Sequence, residues 1–277
     1  VVAAALGNMP MHVLNDIPED WTAASQGRVR AALERSVRSV TVFGLAVRLY
    51  LHYQLMRVYA AAFVRSADDD SFWDAVHSDC ADVVYETAVA LGGLWVKVGQ
   101  YISSRPDLFP PPYVQRLSLL QDSIAPRPFS EIDTTMTEEV GPRWRELFRS
   151  VDETALSAAS VAQVHTATAH DGSAVVLKIQ HRNVRTLMAS DMFNLLVLCE
   201  ALATVEPDWK SLRQVVCEWC PAVVREMDLR NERDALLEVA DGLRAHDVVC
   251  KIPVPHELSN DVGSATRRVL CMEFCEG

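Results

Sequence analysis

The sequence predicts an α+β protein in which helices precede a small antiparallel sheet. Asp171-Gly172 is a strong signal for a hairpin turn, because a type I′ turn needs positive φ at both central residues. The arm after it alternates, so that Val175, Leu177 and Ile179 face one side of a strand. Helices are expected over residues 28–65, 72–103, 183–205 and 212–240, and strands over 174–180, 249–255 and 268–274.

Length and composition describe a folded protein rather than a disordered one. The chain has 277 residues, of which 49% are hydrophobic and 23% charged, which suffices for one large core or two modest cores. Its net charge of −11 argues against nucleic acid as the main partner, since phosphate binding rests on Lys and Arg. The oligomeric state does not follow from the sequence.

Seven cysteines without a regular spacing predict reduced thiols rather than a disulfide framework. A zinc site built from Cys217, Cys220, Cys271 and Cys275 is the alternative. The first pair falls in a helical pattern and the second in an apolar strand, so ordinary thiols are preferred and no metal site is predicted.

Residues 28–65 form an arginine-rich segment that contains only one acid, Glu34, after a lead-in of 27 residues with little pattern. A membrane span is not predicted, because Arg48, His52 and Arg57 interrupt the apolar run. Two interpretations remain open. The segment is either an amphipathic helix that lies on a membrane lipid surface or a helix that packs on the domain.

The predicted helix over 72–103 carries the stretch GGLWVKVGQ. Lys97 and Gln100 are three residues apart and therefore share a face of the helix. Gly99 lies between them and costs a helix about 1 kcal/mol relative to alanine, so we expect close packing at this position. Prolines after Arg105 end the helix.

Three features of the second half indicate a ligand site. Ser157 begins a run of small residues before the hairpin, where a backbone can approach a ligand closely, and Lys178 lies on the non-core face of its strand. In a regular helix over 212–240, Asp228 and Glu232 share a face while Glu226 points away. A bend at one of these acids is the alternative, and Pro221 is expected to kink or split the helix.

Several ordered motifs from about Ala90 to Gly277 resemble the UbiB-like, or aarF-domain-containing, atypical kinases. They are GGLWVKVGQYISSRPDLFP for the K-x-G-Q segment, LSLLQDSIAPRPFSEI after it, SAASVAQVHTA for an alanine-rich loop, VVLKIQ for the lysine strand, REMDLRNE for the E-x-D motif and RRVLCMEFCEG for the hinge. The SSRPDLFP and LLQD wording is most similar to the eukaryotic mitochondrial branch of the family.

This resemblance implies a protein-kinase-like N-lobe, an antiparallel sheet plus an αC-like helix, preceded by a helical extension. It implies that Lys178 holds the phosphates of ATP or ADP, with Mg²⁺, and pairs with Glu232. The backbone of the loop and hinge and the family motifs would complete the site. The implied loop residues are Ala158, Ala159 and Ser160, the adenine contacts Val176, Met272, Glu273 and Cys275, and the closing contacts Lys97, Gly99 and Gln100 against Glu226 and Asp228.

Two departures from the family pattern bear on activity. Val176 stands where the family usually has the alanine beside adenine, and Ser157 replaces the first loop alanine. The catalytic-loop Asp and Asn and the metal-binding Asp belong after the hinge, so the C-lobe is expected to be absent from this sequence, which carries no catalytic residue. The expected domains are an N-terminal extension (1–71), a helical K-x-G-Q extension (72–150) and the N-lobe (151–277).

The resemblance implies the N-terminal half of an atypical kinase or ATPase that supports ubiquinone or mitochondrial lipid metabolism, associated with the inner mitochondrial membrane or another organelle membrane. The alternative is a non-catalytic pseudokinase or scaffold, in which nucleotide tunes a lipid or partner interaction. A third interpretation is a helical membrane-surface protein without a nucleotide site. The chain begins with valine, so it is expected to be an excerpt that has lost any targeting peptide.

Overall fold

A computed structural model describes residues 28–64, 70–121, 125–205, 209–246, 250–259 and 261–275, with only the backbone described for 28–31, 210 and 211. The predicted lead-in over 1–27 lies outside these residues. The chain forms two compact units. The first takes its described residues from 1–124 and 185–218, and the second from 125–184 and 219–277.

The first unit is built from helices. They are α1 (Arg28–Phe63), α2 (Asp70–Leu91), α3 (Gly93–Ser103), α4 (Pro111–Ser118), which continues as a 3₁₀ turn (Leu119–Gln121), and α6 (Val184–Val205). The start of α7 (Lys210–Glu226) also belongs to this unit. Its core includes a cluster of Ala88, Val96, Leu117 and Leu120, where α2, α3 and α4 meet.

The prediction of one continuous helix over 72–103 is wrong, because the chain breaks between α2 and α3. Gly92 and Gly93 have φ of 64° and 51°, values that glycine adopts more readily than residues with a Cβ atom. The predicted close packing at Gly99 is confirmed. A Cβ atom placed there would lie 2.2 Å from Cδ1 of Leu120, so a larger residue requires the Leu120 side chain to move.

One described helix, α6, is apolar and long enough to cross a membrane by length and composition. Half of its most apolar window is buried inside the protein. Asp191 in α6 accepts two hydrogen bonds from the Arg38 guanidinium of α1, and Asn194 Oδ1 accepts one from Ser39 Oγ at 3.1 Å. Burial raises the pKa of Asp191, although Arg38 opposes that shift. These polar contacts show that α6 packs against α1 within the first unit.

The second unit holds a four-stranded antiparallel sheet in the order β1-β2-β3-β4. Its strands are β1 (Phe148–Ala158), β2 (Ala162–Ala169), β3 (Ala174–Gln180) and β4 (Val269–Glu273). Helix α5 (Phe129–Glu139) and a 3₁₀ turn (Trp144–Leu147) precede the sheet, and the end of α7 and α8 (Leu229–Ala245) complete the unit. The α+β fold predicted from the sequence is confirmed.

The alternation along β3 places its side chains as predicted. Val175, Leu177 and Ile179 are buried in a core cluster with Ile132 and Met136 of α5. Lys178, on the opposite face, is only partly buried. This arrangement leaves the ammonium group accessible on the face of the sheet that does not carry this cluster.

The hairpin between β2 and β3 forms, but its turn differs from the prediction of a type I′ turn. Gly172 has φ of 92°, whereas Asp171 is not among the described residues with positive φ. The Asp171 carboxylate instead accepts hydrogen bonds from the backbone N–H of Ser173 at 2.9 Å and from its hydroxyl at 2.6 Å. A side-chain acceptor therefore stabilises the turn in place of the second positive φ.

The strand predicted over 249–255 is not formed by its described residues. Only Pro255 forms an isolated bridge, to Met272 of β4. The proline has no N–H to donate to a ladder, which is one physical reason why pairing does not extend here. The N–H of Glu273 still donates to Val254 O at 2.8 Å, so this segment covers the edge of β4.

Candidate functional site

The site is organised around an ion pair between β3 and α8. Lys178 Nζ donates to both carboxylate oxygens of Glu232, each at 2.7 Å. Glu232 lies in the first turn of α8. The exposed fractions of the two side chains, 28% and 36%, show that solvent or a ligand can reach the pair. A lysine on a strand and a glutamate on the packed helix are thus brought together across 54 positions of sequence.

The region 226–232 is not one regular helix, so the expected shared face of Asp228 and Glu232 is wrong. Helix α7 ends at Glu226 and α8 begins at Leu229, while Pro221 lies inside α7 rather than at the break. Asp228 is the N-cap of α8, with φ −116° and ψ 104°. The alternative interpretation, a bend within this acidic stretch, is the one that the structure bears out.

The carboxylate of Asp228 is occupied by local partners. It accepts a hydrogen bond from the backbone N–H of Arg230 at 3.1 Å and two from its guanidinium, at 2.9 and 2.6 Å. Burial alone raises the pKa of this carboxyl, but the hydrogen bonds from Arg230 outweigh it and hold the pKa below its ordinary value. Asp228 therefore fixes the start of α8, and with it the position of Glu232 one turn later.

The alanine-rich loop is a tight connection between β1 and β2. Ala158 is the last residue of β1, and the N–H of Ala159 donates to Ala162 O at 2.8 Å. In the described part of the chain, no acceptor is found for the backbone N–H groups of Ser160 and Val161. Two neighbouring N–H groups of this kind can bind an anion, which is the contact that a phosphate requires. No pattern in the sequence predicts a role for Val161 in this loop.

The predicted hinge continues from β4. Met272 is partly buried against Leu229 and Leu270, and Val176 pairs with it across β3 and β4. The N–H groups of Glu273 and Phe274 are already bonded, to Val254 O at 2.8 Å and to Ala174 O at 3.0 Å. For the N–H of Cys275, the described residues show no acceptor. Among the described residues of the predicted hinge, Cys275 is therefore one whose N–H remains available for a ligand contact.

The K-x-G-Q residues lie on α3 of the first unit. The Gln100 amide donates to Leu120 O at 3.0 Å, and Gly99 packs against the Leu120 side chain. Lys97 is partly buried. Because Glu226 and Asp228 belong to the second unit, the closing contact between the two motifs stays a prediction.

A sheet that presents a lysine to a helix glutamate, beside a small-residue loop and a hinge strand, defines the N-lobe of a protein-kinase-like fold. Residues 119–277 match the ABC1 atypical kinase-like domain. The chain therefore belongs to the ABC1, or AarF, family of atypical kinases. The family resemblance found in the sequence is confirmed.

Curated relatives are considerably longer than this chain. AarF domain-containing protein kinase 1 of Mus musculus is 36% identical over 203 residues, which cover 73% of this chain and 37% of the relative. An aarF domain-containing protein kinase of Arabidopsis thaliana, described as chloroplastic, is 33% identical over 190 residues, covering 68% of this chain and 27% of the relative. The solved complex of Rv3197 with erythromycin from Mycobacterium tuberculosis has 26% sequence identity and a TM-score of 0.42, covering 65% of this chain and 44% of that chain.

Proposed function

We propose that this chain is the nucleotide-binding N-terminal part of an atypical kinase or ATPase that binds ATP or ADP with Mg²⁺. The observation that carries the proposal is the ion pair of Lys178 with Glu232, which holds an ammonium group on the accessible face of the sheet. In kinases this pair positions the lysine for the α- and β-phosphates. Membership of the ABC1 family supports the same function.

The groups around the ion pair fit a nucleotide. The N–H groups of Ser160 and Val161, for which the described residues show no acceptor, suit phosphate oxygens. The N–H of Cys275, which also has no acceptor among those residues, suits an adenine ring nitrogen. Val176 and Met272 would line the adenine pocket. Mg²⁺ would neutralise phosphate charge when bound, and no residue of this sequence is assigned to it. What these residues do is bind and orient the nucleotide.

Thermal unfolding of the full-length protein tests the proposal. At an ADP concentration about 100-fold above the Kd, MgADP is expected to stabilise the native state by about 2.7 kcal/mol. Lys178→Met should remove most of this stabilisation, because the phosphates lose their cation. Lys251→Met is the matched control, since Lys251 is an exposed lysine of the same unit. Equal stabilisation of wild type and Lys178→Met would refute the role of Lys178.

We also propose that α1 contacts a membrane lipid surface. Its outer stripe consists of apolar residues three, four or seven positions apart, which lie on one face of a helix, each with an exposed fraction between 57% and 72%. The stripe residues are Leu33, Val37, Val40, Val47, Leu51, Leu55 and Val58. Val42 and Ala60 face inward and are only 3% and 2% exposed. The helix is therefore apolar on two opposite faces, and the outer one has no partner among the described residues.

Charge favours an anionic lipid surface for the outer stripe. Residues 35–63 contain no Asp or Glu, although the whole chain has a net charge of −11. Arg48 and Arg57, both exposed, flank the stripe. Apolar area together with basic residues is the combination that holds an interfacial helix on anionic lipid.

Flotation of the full-length protein with vesicles tests the lipid contact. Wild type should float with vesicles that contain anionic lipid, and much less with purely zwitterionic ones. Changing Leu51 and Leu55 to Ser should reduce flotation several-fold, because buried apolar area drives the binding. Leu237→Ser in α8, also at an exposed leucine, should have no effect. Flotation unchanged by the stripe variant would refute the proposal.

If both proposals hold, nucleotide and lipid sites occur in one protein, as the scaffold alternative requires. Turnover then separates the alternatives. A kinase or ATPase consumes ATP, whereas a scaffold changes lipid binding with nucleotide and releases no product. We propose a mitochondrial location and a role in ubiquinone or lipid metabolism, which the motif wording and the arginine-rich segment support. Fractionation of organelles that carry the tagged full-length protein tests the location.

A further inference from the structure

His181 follows β3 directly and holds the loop between β1 and β2 through two hydrogen bonds. Its backbone N–H donates to Val161 O at 2.9 Å, and its Nε2 lies 3.0 Å from Ala159 O. The residue is 2% exposed. One histidine thus fixes two of the three residues that connect the strands.

The ring is neutral and in a defined tautomer. A carbonyl oxygen only accepts, so Nε2 carries the hydrogen, and Nδ1 is left buried without a partner in the described part of the chain. Burial lowers the pKa of His181 to about 4, with a further contribution from Arg127. A buried unpaired nitrogen costs stability, and a leucine of similar volume avoids that cost. What the histidine side chain supplies, and a leucine could not, is the hydrogen bond to Ala159 O.

The bond to Ala159 determines where the next N–H points. The peptide bond is planar and trans, so the N–H of Ser160 points opposite to the carbonyl of Ala159. Since that carbonyl points at the buried ring of His181, the N–H of Ser160 points away from the ring. This N–H is one of the two loop donors without an acceptor in the described chain.

We propose that His181 is a positioning residue for the phosphate-binding loop, and that it holds the N–H of Ser160 towards the phosphates of the nucleotide. The inference rests on the nucleotide-binding function proposed above. His181 therefore supports the binding of phosphate-bearing nucleotides and contributes nothing to the binding of the nucleoside.

Titration calorimetry of the full-length protein with MgADP and with adenosine tests this role. His181→Leu, which lacks a donor, should weaken MgADP binding by about five- to tenfold and leave adenosine binding unchanged. His181→Gln should restore most of the MgADP affinity, because its amide nitrogen reaches about as far as Nε2. If His181→Leu does not fold, His181→Met, which also lacks a donor, replaces it.

His165→Leu is the matched control. His165 is also fully buried, but its Nδ1 bonds to Asp152 O at 2.9 Å and its Nε2 to the Gln163 amide, with neither bond to the loop. This variant should lose stability and keep the wild-type ratio of MgADP to adenosine affinity. Equal MgADP binding by wild type and His181→Leu would overturn the role of His181 alone. Absence of MgADP binding to wild type would overturn the proposed function and this inference together.

Discussion

At the residue scale, stability does not explain the pair of Lys178 and Glu232. Ion pairs with this degree of exposure contribute about 0–1 kcal/mol to folding. The pair nevertheless holds both carboxylate oxygens at 2.7 Å from one ammonium group. We infer that this fixed, accessible ammonium group binds an anionic ligand, because it adds little to the stability of the fold.

Val176 is expected to narrow the predicted adenine pocket. It is 6% exposed and pairs with Met272 across the sheet, where the family usually has alanine. Val176→Ala removes two methyl groups, so we expect MgADP to bind roughly three- to tenfold more tightly by calorimetry, at a stability cost of about 1 kcal/mol. Val175→Ala, on the core face, should lose stability without gaining affinity. A Kd that Val176→Ala leaves unchanged would show that Val176 does not limit binding.

At the element scale, two helical glycines have opposite roles. A Cβ at Gly99 meets Leu120 Cδ1 at 2.2 Å, whereas a Cβ at Gly44 in α1 meets nothing within 4 Å. Gly99→Ala should therefore lower the free energy of unfolding by about 1–3 kcal/mol. Gly44→Ala should raise it by about 0.5–1 kcal/mol through helix propensity. Denaturant unfolding measures both, and a neutral Gly99→Ala would contradict the close approach of α3 to the turn after α4.

The end of α5 is attached to the segment before β4 by an ion pair between Glu139 and Arg268. The strength of this pair depends on pH, because Glu139 must be ionised to form it. Arg268 Nε donates to Glu139 Oε1 at 2.8 Å. Burial alone raises the pKa of Glu139, but hydrogen bonds from Thr266 and Arg268 outweigh it and hold the pKa below its ordinary value. A depressed folded-state pKa stabilises the protein above the unfolded pKa of about 4.3, and the stabilisation is lost as the pH falls below it.

Glu139→Gln should therefore destabilise the protein by about 1–2 kcal/mol at pH 7, because the charge-assisted bond is lost. The difference from wild type should shrink as the pH approaches 3. Unfolding by urea between pH 7 and pH 3 measures it. Asp241→Asn serves as a control, since its pair with Arg244 is exposed and should contribute almost nothing. A pH-independent difference would exclude this linkage.

At the scale of the whole molecule, the sequence predicts the features that follow from periodicity, such as which face of a strand is buried. The alternation along β3 fixed which side chains enter the core, and Gly99 was correctly assigned to close packing. The sequence predicts no break at Gly92, because an apolar helical pattern continues across it, and it leaves a bend near Asp228 as one of two alternatives. The pairing of Lys178 with Glu232 came from family resemblance, since no local pattern links residues 54 positions apart.

His181 and Val161 were missed for a related reason. A histidine after a strand has no recognisable periodicity, and a backbone N–H that lacks an acceptor leaves no trace in the sequence. The family motifs therefore predict the charged groups of the candidate site, Lys178 and Glu232. The backbone half follows from the loop conformation and required the structure.

The most direct test of the account is labelling with an ATP acyl phosphate, which transfers its acyl group from the phosphate to a nearby lysine amine. The sequence offers Lys97, Lys178, Lys210 and Lys251 as acceptors. If Lys178 holds the phosphates, peptide mapping of the full-length protein should find acylation at Lys178 that excess MgADP suppresses. Labelling that bypasses Lys178, or that MgADP does not affect, would contradict nucleotide binding at this site.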